Sequence, residues 1–260
     1  LYEADELIAI AKRNNVKFTI GYSQRFNTKF AYAKKKLNDG TLGKPVSVMV
    51  SRHLSRSLCK KIASRVRLSP AAMESTHDLD IVFWLLEPAK PVSVYSQGAY
   101  GYMQPVNGSY DIMWSTVKMD NGVLVAIGGG WNLPPSYPNY CATTIEITGT
   151  EGSLLLDDTA RDHWLNTVKD GMQYPMSTMP GEQVDHVFAG QMGPETIHFL
   201  ESCLMDRPQM VSPESARTVM ECYLAADLSA ERNQPVEIPL TNETLAGIAD
   251  MIKAQRAPLP

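Results

Sequence analysis

The segment DIMWSTVKMDNGVLVAIGGGW, residues 111–131, contains two runs of strand-forming residues on either side of Asn121-Gly122. An Asn-Gly pair between two such runs is a strong signal for a β-hairpin, because both residues readily adopt the positive φ that the tight turn requires. Three more runs of this kind stand nearby: PVSVYSQGAY (91–100), CATTIEITGT (141–150) and SLLLDD (153–158). Residues 91–158 therefore predict neighbouring strands of one sheet, most of them antiparallel.

The run at 141–150 indicates that one side of the sheet is buried. Ile145 and Ile147 alternate with Thr144, Glu146 and Thr148, so the isoleucines share one face of the strand and the polar residues share the other. An antiparallel sheet with this pattern is covered by helices on its apolar face. We therefore expect an α+β fold with a largely antiparallel open sheet and helices on one face.

The elements predicted before this sheet have the order of an α/β unit. They are a helix at 2–14, a buried strand VKFTIGY at 16–22, a helix at 28–39 and a strand at 44–54. A loop then leads to Ser69-Pro70, a helix cap followed by proline at the first helical position, and this helix is predicted to run to Leu86.

The elements predicted after the sheet are mostly helical. Residues 159–189 are irregular and contain Met and Gly, and we expect them to form a flap over a cleft. They are followed by a helix at 193–206, a helix at 213–232 capped by Ser212-Pro213, a short strand at 235–240 and a helix at 242–255.

Composition excludes several classes of protein. The chain has 260 residues, of which 44% are hydrophobic and 20% are charged, as in a globular protein. It contains no run of about 18 apolar residues and no signal-peptide pattern, so we expect no membrane partner. The four cysteines form no Cys-x-x-Cys pair, which favours a reducing, cytoplasmic location over a zinc ribbon or a disulfide scaffold. The chain begins with Leu1 rather than Met, which suggests a piece of a longer protein.

Charge is unevenly distributed along the chain. Residues 1–67 contain 15 Lys and Arg against 4 Asp and Glu, and no acidic residue lies between 44 and 67. A basic stretch of this kind can attract phosphates, but it is more often a solvated surface. Aromatic residues are not interleaved with the basic ones, so no nucleic-acid partner is expected.

Acid–base chemistry is best supported in the helix predicted at 70–86, which contains Glu74, His77, Asp78 and Asp80. Spacings of three and four residues place such side chains within reach of one another on a helix. A carboxylate one turn from His77 would orient the ring, raise its pKa towards neutrality and allow general acid–base catalysis. The alternative is a set of ion pairs on the helix surface.

A metal site is a competing interpretation. Glu74-x-x-His77 recurs as Glu195-x-x-His198, and pairs of Glu-x-x-His motifs build di-iron and di-manganese sites in four-helix bundles. The strands between the two motifs argue against a bundle, so no metal is expected. His198 is instead predicted on the exposed side of a helix that packs through Ile197, Leu200 and Leu204.

A ligand pocket is possible around Pro134-Pro135, where Trp131, Tyr137 and Tyr140 could line a sugar site or simply pack together. No Gly-x-Gly-x-x-Gly turn follows a strand, and Gly128-Gly129-Gly130 ends a strand with no helix after it.

Five motifs, taken in order, resemble those of the Gfo/Idh/MocA family, named after glucose–fructose oxidoreductase and inositol dehydrogenase. They are IAIAKRNNVKFTIGYSQRF (8–26), DGTLGKP (39–45), His77-x-x-Asp80 with FWLL (83–86), ITGTEGSLLL (147–156) and the stretch from Ser212 to Leu240. The resemblance covers roughly residues 1–240. It implies a dihydrodipicolinate-reductase-like C-terminal domain at 27–260, preceded by a remnant of a Rossmann domain at 1–26, with residues 213–240 returning to the junction.

The resemblance also implies a function. Members are oxidoreductases that use NAD or NADP to transfer hydride to or from a sugar, an inositol or a related polyol, and they form homo-oligomers through the open sheet. It assigns acid–base catalysis to His77 with Glu74. It places Arg25 where the strand meets the cofactor and substrate cleft. We therefore expect substrate contacts by Arg25, Arg52, Asp78 and Tyr137, and cofactor contacts by Tyr22 and Arg25.

The chain departs from the family pattern at two places. The aspartate that the family often has four residues before its histidine is Met73 here, and Glu74 follows one position later. The glycine-rich fingerprint and the family's Glu-Lys-Pro segment are absent from these 260 residues. A second hypothesis is therefore a cofactor-free sugar-binding or assembly module derived from such an enzyme.

Overall fold

The computed structural model describes residues 1–63, 68–137, 141–157, 165–173 and 182–256. A seven-stranded sheet with the strand order β11-β2-β3-β4-β1-β5-β6 forms its centre. The strands of this sheet are β1 (Pro45–Ser55), β2 (Pro91–Ala99), β3 (Ile112–Met119), β4 (Leu124–Leu133), β5 (Cys141–Gly149), β6 (Ser153–Asp157) and β11 (Val236–Glu237). Two short hairpins lie outside it: β7 (Leu165–Thr167) with β8 (Gly171–Gln173), and β9 (Glu182–Val184) with β10 (Val187–Ala189).

The sheet confirms the predicted architecture. Every neighbouring pair in it is antiparallel except β1 and β4, which are parallel. Asn121 and Gly122 form the turn between β3 and β4, and Gly122 has a φ of 83°. In β5, Ile145 and Ile147 are buried, and Thr144 and Glu146 are exposed.

Helices cover one face of the sheet. They are α1 (Tyr2–Arg13), α2 (Thr28–Asn38), α3 (Arg56–Ala63), α4 (Thr76–Leu86), α5 (Gln104–Asn107), α6 (Met192–Leu204), α7 (Pro213–Arg232) and α8 (Asn242–Arg256). Helices α4 and α7 pack against each other, and α4 packs on β1 and β4. Their apolar side chains meet Val50, Val117 and Ile127 of the sheet in one hydrophobic core. Among the described residues, every helix is too short or too polar to span a bilayer.

The start of α4 differs from the regular helix predicted at 70–86. The Ser69 hydroxyl accepts a hydrogen bond of 3.0 Å from the backbone N of Ala72, as a helix cap does. Residues Ala71–Ser75 then form a turn of π-helix before the α-helix begins at Thr76. The π-turn lies just before His77, and such turns are frequent at functional sites.

Three predicted elements are wrong. Residues 16–22 form no strand, because no strand pairs with them among the described residues. The loop expected after β1 contains α3, an amphipathic helix that buries Cys59. Of the strand expected at 235–240, only Val236 and Glu237 pair with β2. Residues 159–189 contain the hairpins β7–β8 and β9–β10, and the flap expected there falls largely outside the described residues.

The glycines of β4 allow two backbones to approach closely. A Cβ on Gly129 would lie 1.6 Å from the carbonyl O of Arg52, and one on Gly130 would lie 1.9 Å from the carbonyl O of Asp111. The φ of Gly129 is 146° and that of Gly130 is 154°, which residues with a Cβ rarely adopt. Only glycine therefore permits β4 to run beside Arg52 on β1.

We predict that Gly129→Ala destabilises the protein by about 2–6 kcal/mol, since backbone strain and overpacking each cost about 1–3 kcal/mol. Urea unfolding measures the free-energy change. Gly152→Ala is the matched control, because a Cβ there would lie at an ordinary 3.5 Å from Leu42 Cδ2. Equal unfolding midpoints for the two variants would contradict the close approach.

Candidate active site

A buried ion pair between β1 and α4 forms the centre of the site. Arg52 Nε lies 2.9 Å from Asp78 Oδ1 and 3.0 Å from Oδ2, and Arg52 Nη2 lies 2.6 Å from Oδ1. Arg52 is 7% exposed and Asp78 is 1% exposed. The arginine fork bound to a carboxylate is a strong, directional contact, and it holds the start of α4 against the sheet.

His77 lies beside this ion pair on α4. The edge of its ring faces the ring of Tyr22, with 5.9 Å between the centroids. Burial and, to a smaller extent, the charge of Arg52 lower the pKa of His77 to about 4, against the opposing charge of Asp78. The ring is therefore neutral at pH 7.

This geometry corrects the expected histidine–carboxylate pair. Asp78 binds Arg52 and Asp80 binds Arg25, so both carboxylates of α4 have arginine partners, and the pKa of His77 falls instead of rising. The sequence spacing placed the right residues together. It did not show that Arg52, which lies 25 residues before His77 in the chain, would bind the carboxylate of Asp78.

Glu74 joins the same cluster from the π-turn. Burial raises the pKa of its carboxyl group to about 7; the Arg52 charge lowers it and the Asp78 charge raises it. Glu74 thus exchanges a proton near neutral pH. We call Arg52, Glu74, His77 and Asp78 the acid–base cluster.

Arg25 and Asp80 form a second buried ion pair. Arg25 Nε lies 2.9 Å from Asp80 Oδ2, and Nη2 lies 2.6 Å from Oδ1. The same guanidinium donates to the carbonyl O of Met210 at 2.9 Å and to Ser215 Oγ at 3.3 Å. Arg25, expected to contact substrate and cofactor, is 3% exposed, and these contacts tie three parts of the chain together.

Tyr22 is held against the start of α4. Its hydroxyl lies 2.8 Å from Thr76 Oγ1, and burial is the main cause that raises its pKa to about 12. The phenol is therefore protonated at neutral pH, and its ring edge fixes one side of His77.

Sequence reasoning missed Cys141, the first residue of β5. Arg52 Nη1 lies 3.9 Å from its Sγ, which is 3.0 Å from Thr143 Oγ1. The contact follows from strand register, since Arg52 pairs with Thr143 across β1 and β5. The antiparallel register of β1 and β5 was the only signal that could have shown that Cys141 lies near Arg52.

The aromatic residues near Pro134 have different positions. Trp131 is buried in a cluster with Leu54, Cys59, Met103 and Cys141, so it packs in a core. Tyr137 is half-buried in the turn after β4, and Tyr140 lies outside the described residues.

The second Glu-x-x-His motif has a separate environment. His198 Nε2 accepts a hydrogen bond of 3.0 Å from the backbone N of Met210, and its ring lies 5.2 Å from that of Phe26. The expected packing of α6 is therefore wrong: His198 faces the protein, whereas Ile197, Leu200 and Leu204 are exposed. In the part of the chain that the structure describes, no group of three or more His, Cys, Asp or Glu residues could hold a metal.

The described residues do not form a cradle for the phosphates of a dinucleotide. Such a cradle is a glycine-rich turn from a strand into a helix N-terminus. Gly21 precedes only a short 3₁₀ turn (Ser23–Phe26), and a Cβ on Gly21 would lie 3.8 Å from Glu195 Oε1. Among the described residues, no glycine-rich turn of this kind is therefore present.

Comparison with solved structures shows the same fold in several dehydrogenases. A probable dehydrogenase from Thermotoga maritima superposes with a TM-score of 0.72 at 17% identity, over 91% of this chain and 69% of that one. Scyllo-inositol dehydrogenase from Lactobacillus casei, solved with NAD(H) and scyllo-inositol, has a TM-score of 0.72 at 19% identity, over 89% and 67%. GenD2 from gentamicin A biosynthesis, solved with NAD, has a TM-score of 0.73 at 19% identity, over 91% and 68%.

The chain thus spans about two thirds of the length of these proteins. No match was found among curated proteins. A family model described as the oxidoreductase family, C-terminal alpha/beta domain, matches residues 34–238. That match covers more than half of the chain, which therefore belongs to the Gfo/Idh/MocA oxidoreductase family.

Proposed function

We propose that this chain carries the substrate-binding and proton-transfer part of an NAD- or NADP-dependent dehydrogenase. Its substrate is a CH–OH group of a sugar, an inositol or a related polyol. The observation that carries the proposal is the acid–base cluster, in which a neutral His77 lies beside the buried Arg52–Asp78 pair. Perturbed titratable groups that lie together in this way are typical of catalytic sites.

The step assigned to this chain is removal of the hydroxyl proton. A neutral imidazole has a free lone pair on one ring nitrogen and need not lose a proton before it acts as a base. His77 can therefore accept the proton of the alcohol directly. The nicotinamide would supply the hydride acceptor when bound.

The neighbours of His77 have separate roles in the proposal. Glu74, which exchanges a proton near pH 7, passes the proton between His77 and solvent. Arg52 binds a substrate oxygen and disfavours protonation of His77 before substrate arrives, and Asp78 orients Arg52. Tyr137 contributes a sugar contact. Tyr22 and Arg25 act as positioning residues for α4 through Thr76 and Asp80.

The solved structures support the class of substrate and cofactor. One superposed enzyme contains NAD(H) and scyllo-inositol, and another contains NAD. A cofactor-free sugar-binding module is the second candidate, since the described residues form no glycine-rich turn from a strand into a helix N-terminus.

We predict that His77→Ala, in the protein at its encoded length, lowers kcat for polyol oxidation about 10²–10⁴-fold, the usual contribution of a general base. Reduction of NAD or NADP, followed by absorbance with a panel of inositols and sugars, measures the rate. His186→Ala, at an exposed histidine between β9 and β10, is the matched control. Sugar binding without any nucleotide reduction by the wild-type protein would favour the cofactor-free module.

The raised pKa of Glu74 predicts that the free energy of unfolding depends on pH. Its folded-state pKa of about 7 lies above the ordinary 4.5, so the unfolded state releases this proton first and the folded state loses stability as pH rises between these values. Glu74→Gln removes that loss. We expect the variant to be about 2–3 kcal/mol more stable than wild type above pH 7 and equally stable below about pH 4.5.

Urea unfolding at pH 4 and pH 8.5 measures this difference. Glu201→Gln, at an exposed carboxylate of α6, is the control and should show no such change. A Glu74→Gln variant whose stability follows that of wild type at both pH values would show that folding does not shift the pKa of Glu74.

We also propose a homo-oligomer that buries the open face of the sheet. Met49 pairs with Glu146, which pairs with Leu155, so the three side chains share this face. Met49, Trp114 and Leu155 are 51%, 42% and 67% exposed. An apolar patch on one sheet face fits a two-fold contact in which the same patch meets itself.

Met49→Lys is expected to shift this protein towards the monomer, because a charge would then lie in the apolar contact. Light scattering at micromolar concentration measures the mass, with Tyr2→Lys, at an exposed position on α1, as the control. A monomeric wild-type protein would contradict the oligomer.

A further inference from the structure

The basic stretch found in the sequence is divided by the fold into two groups. Arg52 is neutralised by Asp78. Arg56 and Lys60, one turn apart on α3, form no ion pair with any carboxylate among the described residues. The described residues therefore supply no counter-charge for these two cations, which are available for an external anion.

Both cations lie over one aromatic ring. Arg56 Cζ is 4.6 Å from the centroid of the Tyr102 ring, and Lys60 Nζ is 6.0 Å from the same centroid. Tyr102 is held by the next residue, since the backbone N of Met103 donates to Asp111 Oδ2 at 2.6 Å. The cation–π contacts restrict both side chains before any ligand binds.

Arg56 has a buried hydrogen-bond donor without an acceptor. Its Nε is buried and has no hydrogen-bond partner in the structure. A partly buried cation without a counter-charge is costly, because it loses hydration and gains no compensating attraction. A bound anion would provide that attraction, and the planar guanidinium fork matches the oxygens of a carboxylate or phosphate.

Helix α3 packs on β1 and β4 and shares a small core with neighbours of the acid–base cluster. It begins directly after β1, four residues beyond Arg52. Its Leu58 and Ile62 pack on the small core that contains Trp131 and Cys141, and Met73, next to Glu74, packs on the same core. Cys141 also contacts Arg52, so the same small core touches both α3 and the acid–base cluster.

We propose that Arg56 and Lys60 form a subsite for an anionic group of the substrate, so that the sugar or polyol is an acidic one bearing a carboxylate or a phosphate. This inference rests on the proposed function, because it names the substrate class of the same site. Tyr102 orients the two cations, and the neutral part of the substrate extends towards His77.

Isothermal titration of the chain without nucleotide tests the subsite. The probes are D-gluconate, D-glucose 6-phosphate, inorganic phosphate and neutral D-glucose, at low ionic strength. We expect one sugar anion or both to bind at least about 10-fold more tightly than glucose, as a charge-assisted contact does. Preference for gluconate identifies a carboxylate, preference for glucose 6-phosphate identifies a phosphate ester, and inorganic phosphate bound as tightly as either sugar anion overturns the proposal.

Arg56→Gln and Lys60→Gln are each expected to weaken binding of the preferred anion about 10-fold while leaving glucose unchanged. Lys35→Gln, at an exposed lysine of α2, makes the same change in net charge and should have no effect. Equal affinities for glucose and the anions, no measurable anion binding, or loss of binding in the Lys35 control would each overturn the proposal.

The acidic-substrate proposal and the dehydrogenase proposal can be rejected independently of each other. Binding is measured without nucleotide, and His77→Ala should retain anion binding. If the anion binds but NAD or NADP is not reduced, the anion subsite is supported and the dehydrogenase function is rejected. Reduction with neutral polyols, unaffected by Arg56→Gln, would leave the dehydrogenase and reject the acidic substrate.

Discussion

The buried pair of Arg52 and Asp78 is the interaction on which the rest of this structure depends. It joins the central strand β1 to α4, and loss of either partner would leave an uncompensated buried charge, a change that typically costs about 3–5 kcal/mol. The same pair sets the charge around His77 and Glu74. One contact therefore joins the sheet to α4 and modifies the pKa values of both proposed catalytic groups, whose largest shift comes from burial.

A second ion pair extends this arrangement along α4. Asp80 lies two residues after Asp78, about 200° further around the helix, and faces Arg25 instead of Arg52. Arg25 also binds the carbonyl group of Met210 before α7. Through these contacts α4 connects the sheet on one side with the N-terminal segment and the start of α7 on the other, which fixes the position of His77 between them.

The sheet was predictable because its signals are local. Alternation in β5 and the Asn121-Gly122 turn depend only on neighbouring residues, and the structure has both as expected. The strand at 16–22 was predicted wrongly, because strand pairing needs a partner that local pattern does not reveal. The helix α3 was missed because its short amphipathic pattern lies within a basic stretch that also suits a loop.

The candidate site shows the division between sequence and tertiary structure. The sequence by itself determined which chemical groups are available: Glu74, His77 and two aspartates within seven residues of one helix, with motifs that resemble an oxidoreductase family. Only the tertiary structure decided that both aspartates bind arginines, that Cys141 contacts Arg52, and that the pKa of His77 falls. Pairing and burial are set by residues distant in the chain, and a pKa depends on the charges and the solvent around the folded group.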